Sequence, residues 1–494
     1  MRSRRSITAA LAGLGLGAAG LVLVQPADAA QDARCNRTND SVRKVLECVT
    51  LNGVLEHQQA LQDIADDNGG TRASGTEGYD ESLDYVEQRM QRAGYRTSRQ
   101  PFSFHAFEEI GDSEMQQTMP NAVTYVEGTD FGATPQSEPG DVTAPVRAVD
   151  VQLGLGNTST SGCEATDFAA FPAGSIALIQ RGTCTFADKG NNAAAAGAAG
   201  ILFFNQGNTT APDRNGIPAV TLGDGYTGDI PALNLTYTLG VELVGTPNLV
   251  MRLFANVSRE IVTTENLIAE SRGGNANNVV MAGAHLDSVP AGPGINDNGS
   301  GSSALLEVAE AMAKTRTPNK MRFAWWGAEE ASLVGSNFYV AALDEPALAD
   351  LELYLNFDMI GSPNYGIFIL DGDGSAFGLV GPDGSDDIEA LFEGFYADRD
   401  VPSEPKAFDG RSDYSAFILN DVPAGGLFTG AEVIKTPAQV VKWGGTAGIA
   451  FDPCYHAVCD TMANLSHEAL DLNSDAVAYA FYLYASGKEV INQN

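Results

Sequence analysis

Short apolar runs alternate with amphipathic segments along the second half of the chain. The runs have the length and residue types of buried parallel strands, and the segments between them have helical periodicity. The predicted strands cover residues 279–284, 321–326, 351–357, 367–370 and 424–428, and the predicted helices cover residues 302–314 and 332–342. This alternation predicts an α/β fold with a mostly parallel central sheet and helices on both faces.

The chain before residue 125 is predicted to contain helices and one half-exposed strand. Residues 36–68 carry an apolar helical face, and a second helix with Leu83, Val86 and Met90 on one side ends at Gly94. Residues 102–107 alternate apolar and polar side chains, as a half-exposed strand does. The glycine-rich residues 69–79 lack the lysine and the glycine spacing of a phosphate-binding loop, so we interpret them as a surface loop.

Helical periodicity fades between residues 125 and 256. Short strand-like runs take its place at residues 146–151, 175–180, 200–204 and 219–222, with one helix-prone alanine tract at 189–199. We predict that residues 125–256 form a small α/β module inserted into a larger domain built from residues 30–124 and 257–494. The alternative is a set of surface decorations on a single domain.

Residues 1–29 have the pattern of a signal peptide. Arg2, Arg4 and Arg5 begin it, residues 9–24 are apolar, and residues 27–29 read Ala-Asp-Ala, a small-residue cleavage site. The apolar run is too short for a stable membrane span, and no later run is long enough. The pattern predicts a secreted, extracellular protein with no membrane anchor once the leader is removed.

The net charge of −34 disfavours two classes of partner. A surface this acidic repels nucleic acid and anionic membranes. The six cysteines fall into three local pairs, and in an oxidising compartment three disulfides are the simplest prediction, although spacing alone does not fix the pairing. Zinc binding by these thiols is the weaker alternative, because no CxxC occurs. The local pairs are Cys35 with Cys48, Cys163 with Cys184, and Cys454 with Cys459.

Ionisable side chains gather where the predicted strands end. His285 ends the first strand of the second half, where open α/β sheets hold their ligands. Asp287 points to the same side and can accept the second N–H of the imidazole. Asp297 lies in an acidic turn after a loop rich in proline and glycine. His285 alone is more simply a core histidine, and Asp297 alone a turn aspartate, but together with the groups described next they favour a metal site.

Three further groups extend this cluster. Glu329 and Glu330 follow the strand at 321–326, Asp358 follows the strand at 351–357, and Tyr455 with His456 lies between two cysteines. Adjacent glutamates more often begin a solvated helix, but directly after a buried strand one can bind a metal while the other faces a substrate. Two histidines and three or four carboxylates without a reactive cysteine fit two zinc ions better than one.

The remaining candidates for metal binding are weaker. His57, His105 and His467 lie outside any acidic cluster at a strand end, so we expect them to be structural or exposed. Residues 371–374 read Asp-Gly-Asp-Gly, which raises the possibility of calcium, but the EF-hand pattern does not continue. We therefore predict a turn there, and calcium stays unsupported.

Five phrases in a fixed order carry a family resemblance over nearly the whole mature chain. They read HLD, INDNGSG, WWGAEE, NFDMIG and DPCYHAVCD. In this order they resemble the secreted di-zinc aminopeptidases of the leucyl aminopeptidase and aminopeptidase Y type. The predicted insert, with Gly-Thr-Cys-Thr-Phe at residues 182–186, resembles a protease-associated (PA) domain.

The resemblance implies a role for each residue at a matching position. Asp297 would bridge two zinc ions, with His285 and Asp358 completing the ligands of one ion, and Glu330 and His456 those of the other. Glu329 would be the general base that takes a proton from the attacking water, and Tyr455 would donate a hydrogen bond to the oxyanion. Arg411 would lie near the substrate. Met359 and Phe428 would form two walls of an apolar pocket.

We therefore expect a secreted aminopeptidase with two zinc ions per chain that releases large apolar N-terminal residues, such as leucine, from peptides or proteins. A monomer is the expected state for a highly charged secreted exopeptidase. A carboxypeptidase on the same scaffold is the first alternative, although Arg411 alone is thin support for a carboxylate site. A catalytically silent receptor is the second, and the intact ligand set argues against it.

Overall fold

The computed structural model describes residues 35–223 and 225–491, so the predicted signal peptide lies outside the described residues. Within them, sixteen strands form two sheets. The strands are β1 Arg96–Glu109, β2 Glu114–Met119, β3 Val123–Thr124, β4 Phe131–Ala133, β5 Gly140–Val149, β6 Ile176–Gln180, β7 Gly200–Phe204, β8 Ala232–Leu235, β9 Val250–Ala255, β10 Val257–Glu270, β11 Asn275–His285, β12 Asn319–Trp326, β13 Leu351–Phe357, β14 Phe368–Leu370, β15 Glu404–Lys406 and β16 Ala424–Phe428.

Helices surround both sheets. The α-helices of the described residues are Val42–Leu46, Leu51–Asp67, Glu77–Ala93, Phe186–Ala195, Tyr237–Gly245, Gly299–Met312, Val334–Ala341, Glu345–Ala349, Ser385–Ala397, Tyr414–Ile418, Pro437–Trp443 and His467–Ala485. None of these is long and apolar enough to span a membrane.

The first sheet has the order β1-β10-β12-β11-β13-β16-β14-β15. Its central strands β12, β11, β13 and β16 are parallel to one another, whereas β1 with β10, β10 with β12, and β14 with β16 run antiparallel. Side chains of the central strands point alternately into two cores. On one face Ala282 and Phe323 pack with the helices Gly299–Met312 and His467–Ala485, and on the other Met281 and Trp326 pack with Phe417. The predicted mostly parallel sheet with helices on both faces is confirmed.

The second sheet is built from strands between Glu114 and Ala255, in the order β3-β2-β9-β5-β6-β7-β8-β4. It has its own buried core, which includes Leu178, Leu202 and Leu253. The strands β1 and β10 pair with each other over their full length and lead from the first sheet into the second and back. The disulfide between Cys163 and Cys184 lies within this second unit.

The disulfide pairing was predicted correctly, whereas the predictions for residues 36–68 and 219–222 need correction. All three disulfides pair as predicted, including Cys35 with Cys48 and Cys454 with Cys459. The apolar face at 36–68 belongs to two helices, because Thr50 caps a new helix by accepting a hydrogen bond from the Gly53 backbone N–H. Residues 219–222 form no strand: the Asn234 side chain donates to the carbonyls of Pro218 and Val220, and the strand is Ala232–Leu235 instead.

Candidate metal centre

The predicted ligands come together at the carboxyl ends of the parallel strands. His285 ends β11, Asp358 directly follows β13, and Glu330 lies in the turn after β12. Asp297 directly precedes Asn298, which caps the helix Gly299–Met312 by accepting from the Gly301 N–H. Because parallel strands end at one edge of the sheet, residues far apart in sequence share a single site.

Asp297 lies between two imidazoles. Its Oδ1 is 3.3 Å from His285 Nε2, and its Oδ2 is 3.3 Å from His456 Nε2. Asp358 Oδ1 is 3.4 Å from His285 Nε2, and Glu330 Oε2 is 3.0 Å from His456 Nε2. One carboxylate therefore connects two clusters, each of which has its own histidine and its own acid.

The charges at this site are unusual for a protein interior. Burial raises the pKa of Glu330 to about 7. Burial also opposes ionisation of Asp297, but hydrogen bonds from His285 and His456 hold the pKa of Asp297 well below its ordinary value. Burial lowers the pKa of His456, and the contacts with Asp297 and Glu330 outweigh this effect, so the pKa rises to about 10.

Two buried carboxylate oxygens, Glu330 Oε1 and Asp358 Oδ1, have no hydrogen-bond partner among the described residues. A buried acceptor without a donor is costly unless a cation satisfies it. His285 lies within 4.8 Å of Asp297 and Glu330, and also of Glu329 and Asp358, when one potential ligand atom is taken from each side chain. Imidazole nitrogens and carboxylate oxygens at this spacing fit zinc.

His285 is oriented through its other nitrogen. His285 Nδ1 lies 3.0 Å from the Asp287 carbonyl oxygen and 3.6 Å from Asp287 Oδ1. The Asp287 carboxylate also accepts from the Glu329 backbone N–H at 3.3 Å. The sequence prediction named the carboxylate as the acceptor, and the structure brings the main-chain oxygen of the same residue closer.

Glu329 stands beside the two clusters. Its side chain is buried, with Oε2 3.9 Å from His285 Nε2. Burial raises the pKa of Glu329 well above its ordinary value, and the nearby carboxylates act in the same direction. The Ala328 backbone N–H donates to Ser74 Oγ, which fixes the turn that carries Glu329. A buried carboxyl with a raised pKa can take up a proton near neutral pH, as a general base must.

Tyr455 and His456 lie in the loop closed by the disulfide between Cys454 and Cys459. Their rings stack, with centroids 3.8 Å apart. The Tyr455 hydroxyl accepts from Arg411 Nη2 at 3.2 Å, and Arg411 Nη1 donates to Glu432 at 2.8 Å. Burial raises the pKa of Tyr455, so the hydroxyl keeps its proton at neutral pH and can donate it in a hydrogen bond.

A cavity of about 460 Å³ opens beside these residues. Glu329, Glu330, Asp297, His456 and Tyr455 form its polar part. Apolar side chains form another part of the lining: Met359, Phe368, Leu370, Phe377, Leu427, Phe428, Val433 and Phe451. The two cations of the lining, Lys406 and Arg411, already pair with the carboxylates of Asp409 and Glu432.

Some residues that shape the site escaped the sequence prediction. Arg72 is fully buried and donates to the carbonyls of Leu286, Pro293 and Gly294, so the interpretation of residues 69–79 as a surface loop was wrong at this position. Only the fold brings this loop against residues 286–294, which are more than 200 positions away.

Two aspartates also escaped prediction. Asp460 accepts from the backbone N–H groups of Asn296 and Asp297, and it directly follows Cys459, so the DPCYHAVCD phrase could have pointed to it. Asp413 is fully buried, and neither of its carboxylate oxygens has a hydrogen-bond partner among the described residues.

The weaker candidates from the sequence lie elsewhere. The carboxylates of Asp371 and Asp373 accept from backbone N–H groups at residues 375–377, which gives the predicted turn, and Glu389 lies nearby. His57 is buried with its Nδ1 2.7 Å from the Tyr85 hydroxyl, and His467 is the first residue of a helix.

Comparison with known proteins gives a consistent result. Residues 266–481 match the profile described as Peptidase family M28, and residues 142–243 match that of the PA domain. An aminopeptidase of Pseudomonas aeruginosa is 51% identical over 97% of this chain and 91% of its own length. Leucine aminopeptidase 2 of Trichophyton rubrum is 40% identical over 91% of this chain and 86% of its own length.

Solved structures agree in fold. The aminopeptidase from Aneurinibacillus sp. strain AM-1 superposes with a TM-score of 0.69 at 26% identity, covering 92% of this chain and 98% of that one. A zinc aminopeptidase from Bacillus subtilis gives a TM-score of 0.58 at 24% identity, with 90% and 97% covered.

Proposed function

Because the chain belongs to peptidase family M28 and is a zinc-dependent aminopeptidase, we propose that it holds two zinc ions and releases large apolar N-terminal residues from peptides. The observation that carries the proposal is the position of Asp297, whose two carboxylate oxygens each lie 3.3 Å from a different histidine. A carboxylate between two imidazole–acid clusters suits a pair of metal ions better than one ion.

Each cluster supplies the remaining ligands of one ion. His285 and Asp358 would hold the first zinc, and Glu330 and His456 the second, with Asp297 shared between them. When bound, such ions polarise the peptide carbonyl and lower the pKa of a water molecule. The partnerless oxygens of Glu330 and Asp358 support this assignment, since each would gain a cation as its partner.

Two side chains of the protein would handle the proton and the negative charge. Glu329, with its raised pKa, would accept a proton from the attacking water and pass it to the leaving amine. The Tyr455 hydroxyl would donate a hydrogen bond to the oxygen on which negative charge develops. Arg411 would hold Tyr455 in place through its 3.2 Å hydrogen bond to the hydroxyl oxygen.

The preference for leucine-like residues rests on the cavity of about 460 Å³. Met359 and Phe428 belong to its apolar lining, next to Glu329 and Glu330. An apolar first side chain would be desolvated there while the peptide carbonyl stays beside the acids. A carboxypeptidase has less support, because both cations of the cavity are already paired.

Secretion and a monomeric state belong to the same proposal. The signal-like residues 1–29 and the three disulfides support export to an oxidising compartment. Peptides and protein N-termini outside the cell would then be the substrates.

Hydrolysis of Leu-p-nitroanilide by metal-analysed protein tests the proposal, with N-acetyl-Leu-p-nitroanilide as the control. We expect cleavage of the free amine alone, loss on chelation, and recovery at about two equivalents of zinc. Full recovery at one equivalent would contradict the two-ion assignment. Equal cleavage of Gly- and Leu-p-nitroanilide would contradict the role of the apolar cavity.

A further inference from the structure

A second cavity, of about 270 Å³, shares one lining residue, Glu330, with the first. Asp287 and Ser288, from the segment after β11, form one side of it. Pro135, Gln136 and Thr221 form the other side, and these residues belong to the part of the chain that builds the second sheet. The second cavity therefore lies between the two units, beside the proposed zinc ligands.

The wall contributed by the second unit is held in a fixed position. Gln136 is 5% exposed; its Nε2 donates to the His105 carbonyl at 2.9 Å and its Oε1 accepts from Arg259 Nε at 3.2 Å. Arg259 also pairs with Glu138 at 2.6 Å and is itself 3% exposed on its side chain. Thr221 Oγ1 donates to the Pro135 carbonyl at 3.3 Å. A wall in which Gln136 is buried and both of its polar atoms are hydrogen-bonded can select among ligands, because it does not yield to a poor fit.

We propose that this second cavity receives the side chain of the residue that follows the cleaved bond, so that the second unit selects substrates by their second residue. The inference rests on the proposed function. If the first side chain fills the larger cavity and the carbonyl lies beside Glu329 and Glu330, the rest of the peptide must leave on another side of these acids. The second cavity, which shares Glu330 with the first, is the candidate for that side.

The lining predicts which second residues are favoured. Phe104, Phe107, Pro135, Pro290 and Ala331 give the cavity a mostly apolar surface, whereas Asp287, which is not a proposed zinc ligand, supplies negative charge. An apolar side chain is desolvated at such a surface, and an acidic one is repelled. The favoured substrates therefore carry an apolar second residue, and those with aspartate or glutamate there are disfavoured.

The test compares leucinamide with tripeptides Leu-Xaa-Gly in which Xaa is Phe, Leu, Gly or Asp. Leucinamide has no second residue, so its hydrolysis reports the proposed aminopeptidase function alone. We expect kcat/KM for Phe and Leu to exceed that for Gly by about tenfold or more, with Asp lowest. Similar values for all four tripeptides, with leucinamide cleaved, would overturn the inference and leave the proposed function intact. An uncleaved leucinamide would count against the function itself.

Two variants test whether the preference for the second substrate residue depends on the second unit. Thr221→Trp should fill the second cavity, lowering kcat/KM for Leu-Phe-Gly by about tenfold while leucinamide stays within about twofold. Thr210→Trp is the matched control: this threonine is exposed in the same unit and lies outside the cavity lining, so all substrates should behave as in the unaltered protein. Equal losses on leucinamide and Leu-Phe-Gly in Thr221→Trp would contradict a role restricted to the second residue.

Binding without turnover gives an independent measurement. In a Glu329→Gln background, calorimetric titration with Leu-Phe-Gly and Leu-Gly-Gly should show tighter binding of the first peptide. Adding Thr221→Trp should abolish the difference. An undiminished difference would place the preference outside this cavity and overturn the inference.

Discussion

Glu329 and Glu330 are neighbours in sequence but have different surroundings. Glu330 Oε2 lies 3.0 Å from His456 Nε2, within one of the two imidazole–acid clusters. Glu329 Oε2 is 3.9 Å from the nearest histidine nitrogen, and its backbone N–H is held by Asp287. Adjacent carboxylates with such different contacts support separate roles, one as a ligand and the other as a proton acceptor.

Isosteric variants of the two glutamates should separate these roles. Glu329→Gln removes the proposed proton acceptor and should lower kcat on Leu-p-nitroanilide by about 10²–10⁴-fold while the zinc content is kept. Glu330→Gln removes a proposed ligand and should lower the zinc content as well. Metal analysis beside initial-rate kinetics checks both outcomes. Near-normal kcat in Glu329→Gln would refute its role as the base.

The pKa values of the proposed ligands His456 and Glu330 predict how zinc loading depends on pH. Without zinc, His456 has a pKa of about 10 and Glu330 a pKa of about 7, so at neutral pH His456 carries a proton that zinc must displace. Below pH 7 Glu330 is also protonated in most molecules. The apparent zinc affinity should therefore rise with pH, by about tenfold per pH unit for each proton released, and most steeply below about pH 7.

Competition between the apoprotein and a chelator of known affinity, measured from about pH 5.5 to 8.5, checks this dependence. Proton release in weakly buffered solution should accompany zinc binding. The Glu330→Gln variant is the control, because it should lose the steeper part of the curve. A pH-independent affinity, after correction for the chelator, would contradict the assigned protonation states.

At the scale of elements, the residues at the ends of the predicted strands indicated most of the candidate site. The strands Leu351–Phe357 and Ala424–Phe428 begin and end as predicted, because both are short and mostly apolar, as buried parallel strands are. His285 and Asp358 interrupt such runs at a strand end, which made them recognisable. The wrongly predicted strand at 219–222 shows the limit of this reasoning, because side-chain donors from Asn234 occupy the carbonyls of Pro218 and Val220.

Loss of the disulfide that closes the short loop should affect the proposed metal site more than the overall stability. Cys454 and Cys459 are only five positions apart, so the crosslink contributes about 2 kcal/mol to the free energy of unfolding by chain entropy. Because the loop carries Tyr455 and His456, the double variant Cys454→Ser/Cys459→Ser should also lose about 10–100-fold in zinc affinity or activity.

The disulfide of the second unit provides the matched control for this prediction. Cys163 and Cys184 are 21 positions apart, so the double variant Cys163→Ser/Cys184→Ser should lose about 3 kcal/mol of stability. It should keep zinc and leucinamide hydrolysis. Thermal melts, zinc titration and kinetics distinguish the two variants, and equal zinc losses in both would contradict a local role for the short loop.

At the scale of the whole molecule, the family resemblance predicted from the motifs is confirmed, but long-range supports could not be foreseen. Arg72 contacts a segment more than 200 residues away, and Gln136 contacts both strands that connect the two sheets. Neither contact leaves a periodic pattern in the sequence, since each depends on how separate segments pack. The sequence therefore indicated the candidate ligands but not the residues that hold them in place.

Arg259 offers the last prediction, which concerns the connection between the two units. It lies on β10, pairs with Glu138 at 2.6 Å, and donates to Gln136 Oε1 and the Tyr226 carbonyl, with only 3% of its side chain exposed. Arg259→Ala removes a donor from Gln136, which is 5% exposed, and from the half-buried Glu138, so we expect a loss of about 2–3 kcal/mol. Arg252→Ala is the control: Arg252 also pairs with two carboxylates but is 27% exposed, and its loss should be about 1 kcal/mol or less. Calorimetric melts check both values. Because Arg259 also fixes Gln136, only the Arg259 variant should weaken discrimination among Leu-Xaa-Gly substrates. Equal destabilisation by the two variants would mean that burial does not set the contribution of these arginines.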